Sequence, residues 1–101
     1  MDTSWMERTA LLVGEKGLEK LNNAHVLIVG LGGVGSYAAE AIGRSGVGKM
    51  TIIDGDTVDP TNRNRQLQAL SSTHGQNKAR LMGDRLKLIN PEIEVDVIEE
   101  F

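Results

Sequence analysis

The spacing of apolar positions changes several times along the chain, and each change marks an element. From Ser4 to Leu21, the residues Trp5, Met6, Leu11, Leu12, Leu18 and Leu21 recur at helical intervals, interrupted by Gly14 and Gly17. This predicts two short helices in an N-terminal arm over residues 1–23. His25 then leads into the unbroken apolar run Val26-Leu27-Ile28-Val29, the pattern of a parallel-sheet strand buried on both faces. The alanine-rich stretch Ser36 to Arg44 follows and stops near Gly46, which predicts a helix of about three turns with a glycine end signal. Lys49 to Asp54 reads as a second strand, and Gly55 to Arg63, rich in Asp, Pro, Thr and Asn, as loop. Ala79, Met82, Leu86 and Ile89 at intervals of three and four predict a helix over 76–89, stopped by Pro91. Glu94 to Ile98 alternates as a third strand.

The order is arm, strand, helix, strand, long loop, helix, strand. That is the first βαβαβ half of a Rossmann-like, doubly wound α/β parallel sheet, occupying 24–101. A sheet stopped at three strands leaves an edge that this architecture ordinarily covers, so the sequence reads as the N-terminal half of a longer domain.

Composition narrows the chemistry. The 101 residues are 40% apolar and 25% charged, ordinary globular values. No apolar run approaches the roughly 18 residues of a membrane span, and residues 1–20 lack a secretory pattern, so cytoplasm is the expected location. The absence of cysteine removes thiolate metal sites and thioester chemistry from these residues. The net charge of −3 points to no polyanion partner, although Arg63, Arg65, Lys78 and Arg80 are concentrated in one stretch. His25 and His74 have no partners at metal-ligand spacing and read as structural, and no metal ligands are assigned. Trp5 and Tyr37 read as packing residues.

The strongest motif is Gly30-Leu31-Gly32-Gly33-Val34-Gly35, a G-x-G-x-x-G pattern directly after a predicted strand and before a predicted helix. Gly30 suits the tight turn, Gly32 and Gly33 lie where backbone approaches phosphate, and Gly35 lets helix and strand pack closely. Phosphate would sit at the helix N-terminus, where free N–H groups and the dipole favour an anion. Asp54, after the second strand, is placed to hold ribose hydroxyls. These features alone suit a nicotinamide oxidoreductase as well as an ATP enzyme.

The segment from Asp54 through Asp56, Asn62, Arg65 and Gln66, with Lys78 in the next helix, resembles the ThiF/MoeB/HesA superfamily, whose domains are of the ubiquitin-activating type. The resemblance implies Asp54 on the ATP ribose, and Asn62, Arg65 and Lys78 on the phosphates with Gln66 in the same segment. It also implies an arginine from the arm, for which Arg8 is the candidate, reaching a partner's site in a homodimer. Adenylation brings a carboxylate against the α-phosphate while pyrophosphate leaves, so roughly three to four negative charges need neutralising. Arg65, Lys78 and Arg8 suit that task, the guanidinium as a fork and the ammonium as a mobile point charge. Asp56 and Asp59 read as supporting or turn-forming residues, Asp59 the more so because it precedes Pro60.

Within the superfamily, Trp5 to Gly14, Asp54 to Leu70 and Ile89 to Glu92 are most similar to the tRNA threonylcarbamoyladenosine dehydratase branch. That branch implies ATP-dependent adenylation of a carboxylate on a modified tRNA adenosine, followed by ring closure with net loss of water. The alternative is adenylation of the C-terminus of a ubiquitin-like sulfur-carrier protein, and a non-catalytic partner subunit is a further one. Arg63 departs from the branch, which more often has an uncharged residue there. The resemblance places the Mg2+ ligand after a fourth strand, outside these residues, so catalysis by these residues alone is not expected.

Overall fold

The computed structural model describes residues 2–100. Three strands, β1 (His25–Val29), β2 (Lys49–Ile53) and β3 (Glu94–Ile98), form one parallel sheet in the order β1-β2-β3. Val26 lies beside Met50, and Met50 beside Val95. The crossovers are α2 (Gly33–Arg44) and, after a long loop, α3 (Lys78–Ile89). The arm comprises a 3-10 turn, Ser4–Met6, and α1 (Glu7–Asn22).

Strand alternation decides where the core forms. Met50 and Ile52 point to one face of β2, where they meet Ala39 of α2 and Ala79, Met82 and Leu86 of α3, all fully buried. Val26, Ile28 and Val95 close the same cluster from the neighbouring strands. Each fully buried Met, Ile or Leu contributes about 1.5–3 kcal/mol relative to exposure. The alanines keep the helices close to the sheet. The glutamate Glu40 of α2 adds a polar tie between the helices: it accepts from the Arg85 Nε and, at 3.1 Å, from Nη2. Arg44 lies 3.4 Å from the same carboxylate.

Both crossover helices therefore lie on one face of the sheet. The opposite face carries His25, Leu27, Val29, Lys49, Thr51, Ile53, Glu94, Asp96 and Ile98, and Leu27 and Val29 are 58% and 72% exposed. This corrects the expectation that β1 is buried on both faces. Its apolar run does supply side chains to both sides, but among the described residues only one side is covered. The polar half of the open face is internally paired: Lys49 Nζ is 3.5 Å from Glu94 and 3.7 Å from Asp96, and His25 Nε2 is 2.7 Å from Thr51 Oγ1.

Other boundaries moved for local reasons. The arm breaks at Gly14, where φ is +73°, but Gly17 stays helical. Helix α2 begins at Gly33, three residues before the predicted start, because the glycine loop itself forms its first turn. Helix α3 begins at Lys78 and not Gln76, since the Asn77 side chain accepts the Arg80 N–H as an N-cap. Tyr37, expected to pack, is 56% exposed, and Trp5 is 38% exposed. No described helix is long and apolar enough to cross a membrane.

Candidate functional site

The carboxyl ends of β1 and β2 carry the glycine loop and Asp54. Gly30 has φ of +88°, a conformation that side chains disfavour, and its N–H donates to the Ile53 carbonyl at 2.8 Å. The chain thereby extends the ladder by one bond before turning away into α2. A Cβ on Gly35 would overlap the Gly30 carbonyl oxygen. Helix and strand meet at that point with no room for a side chain.

Asp54 organises the loop from the second strand. Its Oδ2 accepts the Leu31 N–H at 2.7 Å and its Oδ1 accepts the Asp56 N–H at 2.8 Å. Each carboxylate oxygen keeps a further acceptor site. Asp54 thus shapes the glycine loop and still has capacity for ligand hydroxyls. A cleft of about 290 Å³ opens beside it, lined by Val29, Gly30, Ile53, Asp54, Gly55, Asp56 and Glu100.

The long loop returns over the glycines. Its 3-10 turn, Pro60–Asn64, is capped reciprocally by Asp59, which accepts from Thr61 N–H at 2.9 Å, and by Asn62, whose Oδ1 accepts from Asp59 N–H at 2.8 Å. Hydrogen bonds from Thr61 hold the Asp59 carboxyl below its ordinary pKa. Asn62, predicted as a phosphate ligand, is buried, and its carboxamide oxygen is committed to this cap. Arg65 follows the turn. Its Cγ and Cδ lie 3.6 Å from where a Cβ on Gly33 would stand, so the side chain crosses the start of α2. Its Nη1 donates to Thr61 O and Asn64 Oδ1, each at 3.1 Å, and the rest of the guanidinium makes no hydrogen bond among the described residues.

Lys78 reaches the site from the first residue of α3. Its side chain is 9% exposed, with Nζ 4.0 Å from Asp56 Oδ2, at the outer limit of an ion pair. A cation so buried ordinarily has closer anionic partners. Arg80, by contrast, pairs with Glu99 on the surface, and Arg63 is exposed on the 3-10 turn.

Gln66 is buried, its Nε2 is 3.9 Å from where a Cβ on Gly32 would stand, and its Oε1 has no hydrogen-bond partner. Sequence reasoning missed two further residues. The Asn77 Nδ2 donates to the carbonyls of Asp54 at 3.0 Å and Asp56 at 3.3 Å, tying the strand end to α3. An Asn directly before a periodic stretch was a readable cap signal. The other is Gln68, whose Nε2 donates to the Leu31 carbonyl at 2.8 Å. A polar residue inside a loop gave no sign of it.

The structure thus gathers Gly30, Gly32, Gly33, Gly35, Asp54, Asp56, Asn62, Arg65, Gln66 and Lys78 around one end of the sheet. Arg8 is not among them. Two residues earlier in the arm, the sulfur of Met6 fills the space above Gly46, just before β2 begins. Arg8 is exposed near that opposite end, and a five-residue strand separates the ends by about 16 Å. Among the described residues, no group of three or more His, Cys, Asp or Glu is placed to hold a metal ion.

The ThiF family model matches residues 6–101. The chain belongs to the ThiF family. Its relatives in this family include the tRNA threonylcarbamoyladenosine dehydratase of Bacillus subtilis, 54% identical over 94 residues, covering 93% of the chain and 37% of the relative. The molybdopterin-synthase adenylyltransferase of Escherichia coli is 43% identical over 79 residues, covering 78% of the chain and 32% of the relative. The crystal structure of E. coli tRNA N6-threonylcarbamoyladenosine dehydratase in complex with ATP superposes with a TM-score of 0.96 at 47% identity, over 98% of the chain and 41% of that protein. The chain therefore spans about two fifths of the length of these dehydratases.

Proposed function

We propose that residues 24–101 form the N-terminal half of an ATP-binding adenylation domain, preceded by an arm over 1–23. The whole protein's reaction is adenylation of a carboxylate, with tRNA threonylcarbamoyladenosine as substrate. The observation that carries this reading is the convergence of the glycine loop, Asp54, Arg65 and the underpartnered, buried Lys78. An ATP phosphate chain fits a site with unused guanidinium donors, the ammonium of a largely buried lysine and a glycine-lined helix start. A nicotinamide dinucleotide would not need these two cations beside its phosphates.

In this scheme a carboxylate oxygen attacks the α-phosphorus, pyrophosphate leaves, and a group of the same modified nucleoside then displaces AMP to close the ring. Arg65 and Lys78 offset the charge of the phosphates, and Asp54 holds the ribose hydroxyls. Asn62 and Gln66 support that wall of the site, with Asn62 directing its Nδ2 to phosphate. Mg2+ would supply further charge neutralisation, held by residues beyond these. Arg8 serves the site of a second copy in a homodimer, which accounts for its distance from its own glycine loop. The location is cytoplasmic, where tRNA and ATP are available.

The molybdopterin-synthase adenylyltransferase relative keeps open a second substrate, the C-terminus of a ubiquitin-like carrier protein. The experiment is ATP-dependent pyrophosphate exchange by the protein extended to the length of its relatives. It is offered tRNA bearing threonylcarbamoyladenosine, the same tRNA unmodified, and a ubiquitin-like carrier. Exchange dependent on the modified tRNA supports the proposal. Exchange driven only by the carrier replaces the substrate, and binding of NAD in place of ATP overturns the reaction class.

A further inference from the structure

Leu31 is the residue of the glycine loop whose main chain is held from two sides. Its N–H donates to Asp54 Oδ2 at 2.7 Å, its carbonyl accepts from Gln68 Nε2 at 2.8 Å, and its side chain is fully buried. Gln68 itself is 4% exposed and reaches across 37 positions of sequence to make this contact. The chemistry fixes which end of the carboxamide faces the loop: a carbonyl oxygen only accepts, so the nitrogen must point at it. The other end, Oε1, is buried without a hydrogen-bond partner. An apolar side chain of similar size would avoid that orphan but would release the Leu31 carbonyl.

We infer that Gln68 is a positioning residue for the glycine loop, turning the Leu31–Gly32 peptide so that the Gly32 N–H is presented to a phosphate oxygen. The inference rests on the ATP reading above. No peptide bond among the described residues is cis, and in a planar trans peptide the C=O and N–H point in opposite directions. With the Leu31 oxygen drawn into the interior by Gln68, the Gly32 N–H is directed out of it. Neither the Gly32 nor the Gly33 N–H donates to any group among the described residues. Gln68 therefore acts through the backbone: without its hold, the peptide is free to rotate and the donor loses its fixed direction. Asp54 holds the preceding N–H but cannot set this peptide, because ψ of Leu31 lies between them.

The test compares ATP with adenosine in wild type, Gln68→Met, which removes the donor at similar size, and Gln68→Glu, which replaces it with an acceptor at neutral pH. Wild type is titrated first, since failure to bind ATP there removes the nucleotide reading and this inference with it. With wild-type binding established, both variants are expected to lose about tenfold in ATP affinity, the effect of one hydrogen bond to a charged group. Adenosine, which has no phosphate, is expected to bind all three alike. In the free proteins the Leu31 carbonyl-carbon and Gly32 amide-nitrogen NMR shifts should move while core signals stay. Unchanged ATP affinity in the variants overturns the inference and leaves the ATP reading standing. Equal losses for ATP and adenosine also overturn it, by assigning Gln68 to general support of the fold. Gln68→Glu supplies the same comparison where Gln68→Met does not fold.

Discussion

The carbonyl oxygen of Gly30 occupies the space that a Cβ on Gly35 would need. Both are backbone positions, at the end of β1 and in the first turn of α2, so neither can swing aside as a flexible side chain could. Gly35→Ala is expected to cost about 3 kcal/mol in urea unfolding, at the upper end for overpacking. Gly33→Ala is the contrast. A methyl there meets only Arg65 methylenes at 3.6 Å, and its stability should stay within about 0.5 kcal/mol of wild type.

Lys78 separates binding from stability. Its side chain is 9% exposed with Nζ 4.0 Å from Asp56 Oδ2, whereas the Asp56 side chain is 57% exposed and would be solvated if the lysine were lost. Lys78→Met is expected to leave stability unchanged or raise it by up to about 1 kcal/mol. In calorimetry the same variant should bind ATP about 1.5–3 kcal/mol more weakly. A large loss of stability with unchanged ATP binding would make Lys78 a structural residue.

Arg65 offers the companion measurement. Arg65→Ala should weaken ATP by about 1.5–3 kcal/mol, and Arg65→Lys should recover only part of it because a point charge cannot reproduce the fork. Its hydrogen bonds to Thr61 and Asn64 are exposed, so unfolding by urea should change by about 0.5 kcal/mol or less.

The arm predicts complementation. If Arg8 serves a second copy, Arg8→Ala and Lys78→Ala proteins should each be inactive in ATP–pyrophosphate exchange, and mixing them should restore activity through dimers with one complete site. Mixtures as inactive as their parents would show that Arg8 does not serve a second copy's site, and an Arg8→Ala protein with wild-type exchange would place Arg8 outside the catalytic machinery.

The Glu40–Arg85 contact sets an acid limit. Hydrogen bonding from Arg85, strengthened by its charge and that of Arg44, lowers the Glu40 pKa below its usual 4.5. A carboxyl with a depressed folded pKa contributes stability that is complete above the unfolded value and is lost as pH falls through the folded one. Unfolding midpoints measured from pH 6 down to pH 3 should therefore fall less steeply in Glu40→Gln than in wild type, with the difference confined to the region below about pH 5.

Much of this arrangement was legible because it depends on local chemistry. Val26 to Val29 announced a strand, Gly30 to Gly35 a turn into a helix, and Asp54 the end of the next strand. At the site, the glycines and Asp54 were readable from the motif and its place after a strand, whereas Asn62, Arg65, Gln66 and Lys78 were named through the family resemblance. What the sequence withheld were relationships that exist only after folding. Gln68 meets Leu31 across the long loop, Asn62 gives its oxygen to a cap, and Arg8 falls at the opposite end of the sheet. The exposure of Leu27 and Val29 was illegible for a related reason: an apolar run records what a strand can bury, whereas burial depends on which elements are present.

That open face also governs how copies of the chain behave towards one another. Leu27, Val29, Ile53 and Ile98 form an apolar strip across the open face, reaching an edge of β1 that pairs with no strand among the described residues, and a net charge of −3 supplies little long-range repulsion to keep two strips apart. Solutions of these residues should therefore be colloidally attractive, with a negative second virial coefficient that added salt makes more negative. Their working concentration is set by the surface of one sheet more than by the stability of the fold.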